Sequence, residues 1–321
     1  MRLVEAVSKR LLRAVLVLFG ISIMVFLIFF VTPGSDPAAR LAGRGAPAET
    51  VARVRVEYGF DRPVPVQYLI MMRRLLWTQD LTSFVNRGQL VVPAVLRAVP
   101  TTLSLAFGAA ILFTLAGLAI GVVAARAGQR VERLVLASGL LGVSIPAFWL
   151  GSLVAGLTQG RWHDSLFAWV PPLGTPAEGL LGWLRAMVLP WLTLAVLYAG
   201  IYGRVLRDGL VAALQQDYAR TARAKGLGEA RVVLRHALPN AIVPAVALLG
   251  LDLGALLGGG TVLVEVVFGL PGLGRLTYDA LRSLDLATVM ACVLYASAAV
   301  VAVNALAEVV QSVLNPAQRN S

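Results

Sequence analysis

Residues 14–31 read AVLVLFGISIMVFLIFFV, a stretch with no charged side chain. A helix that crosses a hydrocarbon core of ~30 Å needs about 20 mostly apolar residues. Five more stretches of this kind follow, at 101–124, 134–158, 187–206, 241–268 and 288–312. Together they predict an all-α membrane protein with six transmembrane helices. Lys9, Arg10 and Arg13 precede the first stretch, as they would in a secretory signal. Its apolar core is longer than the usual ~7–15 residues, and it runs into Thr32-Pro33-Gly34-Ser35-Asp36 rather than a small-x-small cleavage site. It therefore reads as a retained anchor.

Composition agrees. Of 321 residues, 58% are apolar and 14% charged. A soluble domain carries about 25% charged residues, and a disordered one has low hydrophobicity with high charge. Both classes are excluded. The net charge is +11, from 28 Lys+Arg against 17 Asp+Glu, and only Lys9 and Lys225 are lysine. Such a balance suits nucleic-acid binding or the arginine excess of cytoplasmic loops. Placement favours the second. With the N-terminus inside, segments 1–13, 125–133, 204–236 and 313–321 hold 15 Lys/Arg in 64 residues, and the short outer loops 159–186 and 269–287 hold 4 in 47. Both termini are then expected to be cytoplasmic. The outer segment 32–100 is too long for the rule to apply.

That outer segment has its own pattern. Residues 49–57 fit a short amphipathic helix. Residues 66–77, with Tyr68, Met71, Met72, Leu75, Leu76 and Trp77, fit either a helix lying at the membrane interface or a packed loop. Pro63 and Pro65 separate the two. In the outer loop 159–186, Trp162 and His163 read as interface residues.

Chemistry-bearing motifs are sparse. No Gly-x-x-x-x-Gly-Lys-Ser/Thr phosphate loop, Gly-x-Ser-x-Gly elbow or His-Glu-x-x-His pair occurs. One cysteine, Cys292, and two histidines, His163 and His236, argue against a disulfide or metal framework. No catalytic residue, metal or cofactor is expected.

The sharpest polar stretch is 204–240. Asp217 fits an N-cap for YARTARAK at 218–225, and Gly226 a C-terminal stop. A second short helix fits from Glu229 onward, with Pro239 as a break before the fifth span. Two short helices with interleaved apolar and basic residues need a surface to rest on. That surface is either anionic lipid or a cytoplasmic partner with a groove.

A family resemblance bears on the choice. YARTARAKG at 218–226 and LRHALPN at 234–240 resemble the cytoplasmic loop of ABC-importer permeases. That family's pattern is Glu-Ala-Ala, three residues, Gly, nine residues, Ile, one residue, Leu-Pro. Ala222, Gly226, Leu238 and Pro239 fall on its positions, while Arg220, Thr221 and His236 replace the Glu, first Ala and Ile. PGSDP at 33–37, FDRPVPVQY at 60–68, GVSIPAFWLG at 142–151, GGGTVLVE at 258–265 and FGLPGLGRL at 268–276 are similar to the dipeptide/oligopeptide/nickel permease subfamily. Residues 79–92 depart from it.

This resemblance implies the type I ABC importer permease fold and a transport subunit rather than an enzyme. Its expected partners are a sister permease, cytoplasmic ATP-binding subunits, an extracytoplasmic substrate-binding protein and the lipid bilayer, with no nucleic acid. The expected place is the bacterial inner membrane and the expected cargo di- or oligopeptides. Residues 1–100 would be an N-terminal anchor and extracytoplasmic segment. Residues 101–312 would be the permease core with its coupling loop at 207–240, and 313–321 a cytoplasmic tail. Asp217, Ala222, Lys225, Gly226, Glu229, Leu238 and Pro239 would form the ATPase-coupling loop.

Other residues keep two readings each. Asp252 sits about 11 residues, roughly 16 Å, into the fifth span. It lines the pathway and meets a peptide amino terminus, or it hydrogen-bonds a neighbouring span. Asn304 and Glu308 share a face of the sixth span and are pathway candidates too. Glu265, Pro271, Gly272 and Gly274 at the outer mouth either touch the binding protein or form a simple surface turn. Gly250, Gly254 and Gly258, and likewise Gly117 and Gly121, serve packing within the bundle or contact with the sister permease. The rivals are a stand-alone channel or secondary transporter, which would want paired intramembrane charges and an internal repeat, and a membrane-bound binder of lipid or nucleic acid.

Overall fold

The computed structural model describes residues 2–31, 36–43, 45–86, 88–126, 129–161, 163–174 and 178–314. Trp162, the tail 315–321 and most of the 33–37 turn lie outside the described residues. Helices account for nearly all of the rest, and the described residues contain one isolated β-bridge, Thr82 to Leu90, and no strand. Five helices are long and apolar enough to span a bilayer among the described residues: Leu12–Val31, Val91–Arg126, Gly179–Leu214, Val243–Gly260 and Leu286–Val310. A sixth candidate is a bent pair, Arg130–Gly142 and Ala147–Gln159.

The third span expected over 134–158 thus takes the form of a bent pair. Helix α6 (Gln129–Ser144) and α7 (Ala147–Gln159) meet at 95°. Pro146 lacks an N–H and forces Ile145 away from helical dihedrals, so the helix must stop and restart. After the short α8 (His163–Leu166), α9 (Gly179–Leu214), like α5 (Val91–Arg126), is longer than expected; both have 36 residues. At 1.5 Å per residue each is about 54 Å long and outruns the hydrocarbon core. Pro100 and Pro190 lie inside them.

The chain forms two compact units. Unit 1 comprises 1–103, 257–266 and 270–301; unit 2 comprises 104–256, 267–269 and 302–321. The boundary expected at 100/101 thus falls inside α5, and unit 1 also takes later segments of the chain.

Unit 1 holds α1 (Arg2–Phe26, continued by a π-helical turn to Val31), α2 (Pro37–Ala42), α3 (Ala48–Glu57) and α4 (Val64–Leu76). Its core joins Phe26, Phe30, Met71, Leu75, Phe84 and Met290. The stretch 66–77 is thus a helix, one face of which packs into the core while Leu69 and Leu76 stay exposed. Met71 and Leu75 are buried in the core, and Tyr68 bonds Ser22 of α1 at 2.6 Å. Trp77, just past α4, is exposed. Asp285 is buried and caps the last helix. It accepts bonds from Ser83 Oγ, Phe84 N and Thr288 Oγ1, which fixes the 81–92 connection to that helix's first turn.

In unit 2, α6 and α9 cross with almost no side chain between them. A Cβ at Gly200 would lie 2.6 Å from Gly139 N. Small residues allow such approach where lipid gives helices no hydrophobic reason to associate. Gly117 and Gly121 of α5 likewise face Tyr202 and Leu206 of α9. Phe113 stacks on Tyr198 and lies 4.6 Å from Tyr202, centroid to centroid.

Candidate functional site

The segment after α9 is built on small residues. Helix α10 (Asp217–Ala224) buries Ala219 and Ala222 against Val232, with Leu214 and Leu227 packed beside them. Next to it Leu210, Ala213, Val233, Ala237 and Ala241 form a second cluster. Alanines let α10 lie close to the chain that returns beneath it. The opposite face, with Tyr218, Arg220, Thr221 and Lys225, is exposed.

Gly226 ends α10 in the left-handed region, at φ +78°. Its N–H donates to Arg223 O at 2.9 Å, and Leu227 N donates to Ala222 O at 3.3 Å. This pairing is the Schellman turn, and Leu227 supplies the apolar contact that accompanies it. The residue type is required here, because a Cβ at this φ is strained although nothing crowds it.

Two expectations for this loop change. Gln216, not Asp217, occupies the N-cap, with φ −73° and ψ 156° and no side-chain cap bond. Asp217 is the first helical residue, where its negative charge still suits the helix dipole. Pro239 does not break the chain. Helix α11 (Glu229–Arg231) passes into a π-helical stretch, Val232–Ala237, then α12 (Leu238–Ala241) and α13 (Val243–Ala255). Pro239 falls in the first turn of α12, where a missing N–H is tolerated.

A clamp that helical spacing could not reveal closes the loop. Arg223 Nε donates to Glu229 Oε1 at 2.6 Å, Nη2 reaches Oε2 at 3.4 Å, and Nη1 donates to Leu214 O at 3.2 Å. One guanidinium thus ties the end of α9, α10 and the start of α11 together. The two-point geometry suits a planar fork. Hydrogen bonding from Arg223 holds the Glu229 carboxyl below its usual value and raises the guanidinium. Both groups lie at the surface, so the pair orients the loop more than it stabilises the fold. Arg126 Nη2 adds a bond to Glu229 O at 3.4 Å, and Arg207 bonds Glu132 at 2.7 Å and Asp208 at 2.8 Å.

The pathway candidates lie in unit 2. Asp252 accepts a bond from Tyr202 Oη at 2.8 Å. It stands midway along Val243–Gly260, where an uncompensated charge costs about 2.5–3.5 kcal/mol on insertion scales. Asn304 and Glu308, exposed within the chain, lie on α16 (Leu286–Leu314). Asn304 Oδ1 lies 2.8 Å from where a Cβ at Gly254 would stand, so Gly254 serves packing within the chain.

The outer-mouth candidates separate. Glu265, on α14 (Val262–Phe268), is fully buried in unit 1. It accepts Thr102 Oγ1 at 2.7 Å and Arg275 N at 3.0 Å. Thr102 in turn accepts Leu273 N at 2.8 Å. Gly272 and Gly274 are buried against Glu265, and a side chain at Gly272 would collide with its carboxylate. Only Pro271 of the four is exposed. Glu265, Gly272 and Gly274 are thus corrected from contact residues to the internal brace of the turn that leads into α15 (Leu273–Ser283). Among the described residues no cluster of His, Cys, Asp and Glu could hold a metal.

Comparison with known proteins now has a geometry to attach to. Residues 117–320 match the family described as the binding-protein-dependent transport system inner membrane component, and residues 3–106 match its membrane component N-terminal family. A peptide transport system permease of Brucella abortus is 38% identical over 320 residues, covering 98% of both chains. Glutathione transport system permeases of Pectobacterium atrosepticum and Salmonella typhimurium are each 37% identical, covering 97% and 98% of both chains respectively.

Proposed function

The chain belongs to the binding-protein-dependent transport system inner membrane components, and from that premise we propose that it forms half of the translocation pore of a di- and oligopeptide importer, beside a sister permease. It is a multi-pass inner-membrane permease subunit of an ABC importer, not itself an enzyme, and it works with an ATPase and a substrate-binding protein. The peptide cargo is carried over from relatives named for peptide and glutathione transport.

The observation that carries the mechanism is the braced loop 217–239. Its buried face is tied to α9 and its other face is unburied, which is the form of a lever rather than of a flexible linker. In this reading the loop enters a groove on one ATP-binding subunit, with Asp217, Ala222, Lys225, Gly226, Glu229, Leu238 and Pro239 as its parts. Approach of the ATPases moves the loop, and the spans attached to it exchange inward-facing for outward-facing states. The ATPases act by their different affinity for the two states. Both termini and this loop then share the cytoplasmic side.

The test uses the full transporter in vesicles with its binding protein. Gly226→Pro, or deletion of 218–226, abolishes uptake of labelled alanyl-alanine while ATP hydrolysis continues and the chain stays at normal abundance. Unimpaired uptake by either variant overturns the coupling role. Uptake by the purified chain alone would favour the stand-alone transporter. Glutathione, run in parallel, decides between the two cargo names.

A further inference from the structure

Helix α4 buries one face and leaves another bare. Val66, Leu69, Arg73 and Leu76 recur at i, i+3, i+7 and i+10 and so share one side of the helix, which Trp77 continues. Leu69 and Leu76 are 63% and 62% exposed, and Trp77 86%. Arg73 lies exposed within the row. We propose that this row is seated in the outer leaflet of the bilayer, its leucines among acyl chains, Trp77 at the headgroup boundary and Arg73 on lipid phosphates. The name of the leaflet rests on the cytoplasmic termini proposed above; the contact with lipid does not.

Depth carries the argument. The first span covers Leu12–Val31 on α1. Tyr68, from the core-facing side of α4, bonds Ser22 and meets Phe19 and Phe26 edge-on, with ring centroids 6.3 and 5.5 Å apart. These three partners precede the end of the span at Val31 by about 8–18 Å, at 1.5 Å per residue. A tyrosine reaches down by no more than its own length, so the start of α4 lies beside the span rather than above it. The surface is also continuous. Of the five long spans among the described residues, the first is the least buried, and Leu12, Val15, Leu16 and Phe19 form an exposed apolar row along it. Phe19 is the residue that touches Tyr68, so the lipid-facing surface of α1 reaches α4 at this contact.

The residue types fit that level. Tryptophan is favoured where membrane meets water, and an arginine can lay its stem on apolar surface while its head reaches a phosphate. A row deep in the acyl region would not carry Arg73. A row in water would not gather Leu69, Leu76 and Trp77 into one patch. Arg74, on the flank, behaves differently. It lies over the Tyr58 ring at 4.2 Å and donates to Glu57 O at 3.0 Å, and so serves the protein rather than the bilayer.

The test uses the complete permease–ATPase complex in phosphatidylcholine vesicles, with nitroxide labels on Leu69→Cys and Leu76→Cys. Glu49→Cys on α3 is the water reference and Leu16→Cys on α1 the lipid reference. Cys292 is buried, and the signal of the complex without an added cysteine is subtracted. The ratio of broadening by dissolved oxygen to broadening by a water-soluble nickel chelate is severalfold higher at both row positions than at Glu49→Cys, and approaches that at Leu16→Cys. Val66→Cys serves if either variant fails to assemble. Arg73→Glu, which sets a carboxylate against the phosphates, lowers the ratio at Leu76→Cys, and Arg73→Lys preserves it. The lipid seat is overturned if the chelate dominates at both row positions, and protection from it by added binding protein would then assign the row to that protein. It is also overturned if neither reagent reaches the row, which would place a partner chain there. An unchanged ratio in Arg73→Glu overturns the phosphate contact. An impermeant thiol reagent outside sealed right-side-out vesicles labels Glu49→Cys if the termini are cytoplasmic. Failure of that labelling with an oxygen-dominated row would change the leaflet and leave the lipid seat, so the two readings fail separately.

Discussion

Two glutamates, one in each compact unit, brace two turns in opposite ways. Glu265 is fully buried and is held by a hydroxyl and a backbone N–H without a cation. Glu229 is largely exposed and is held by the fork of Arg223. Away from water every donor aimed at a carboxylate must be kept, so removing one partner leaves another unsatisfied. At the surface water replaces whatever is lost. The first turn is therefore part of what makes unit 1 fold. The second is set by geometry, through Gly226 and the Arg223 clamp.

The largest effect belongs to the buried turn. Glu265→Ala leaves the Thr102 hydroxyl and the Arg275 N–H without their acceptor, at about 1–3 kcal/mol for each buried donor. Gly272→Ala drives a methyl into the same carboxylate, an overpacking change of about 1–3 kcal/mol or more. Both variants should show low membrane abundance and an early melting transition of the purified complex. A Glu265→Ala chain with wild-type abundance and melting would reduce this buried carboxylate to a passenger and break the contrast.

An intermediate effect belongs to Gly226. Gly226→Ala puts a Cβ in the left-handed region, at about 1–2 kcal/mol. Nothing crowds the added atom, so the strain is local to the loop. The chain should accumulate and melt normally while uptake per ATP hydrolysed falls. If Gly226→Ala instead lowered abundance as much as Gly272→Ala, the loop would be a folding element like the other turn.

Much of this contrast could be read in the residues beforehand. The apolar runs located the five long helices and the bent pair, and Gly226 declared its turn, because both are local properties. What could not be read was reach. Glu265 lies in a stretch that looks like an outer mouth, and only Thr102, far away in sequence, shows that it points inward. The Arg223–Glu229 clamp spans a turn whose shape is set by a positive φ, so no helical spacing announces it. The bend at Ile145–Pro146 was signalled by proline, but an apolar run long enough to span hid it. For Asp252 the residues alone could not name the partner, Tyr202, fifty positions away in sequence.

The smallest effect concerns pH at the exposed turn. Arg223 holds the Glu229 carboxyl below the usual glutamate value of about 4.3, so the folded loop prefers the ionised form. A lowered folded-state pKa contributes order that is complete above the unfolded value and is lost as pH falls through the folded one. Coupling measured as uptake per ATP should therefore stay flat from neutral pH down to the ordinary glutamate range. Glu229→Gln keeps the shape and one acceptor but removes the charge. It should lower coupling slightly at every pH, with little change in melting, because both partners sit in water. A wild-type coupling ratio that dropped well above the glutamate range, and did so equally in Glu229→Gln, would show that this ion pair does not set the loop's geometry. The loop's shape would then rest on the Schellman turn at Gly226 and the packing of Ala219 and Ala222 against Val232.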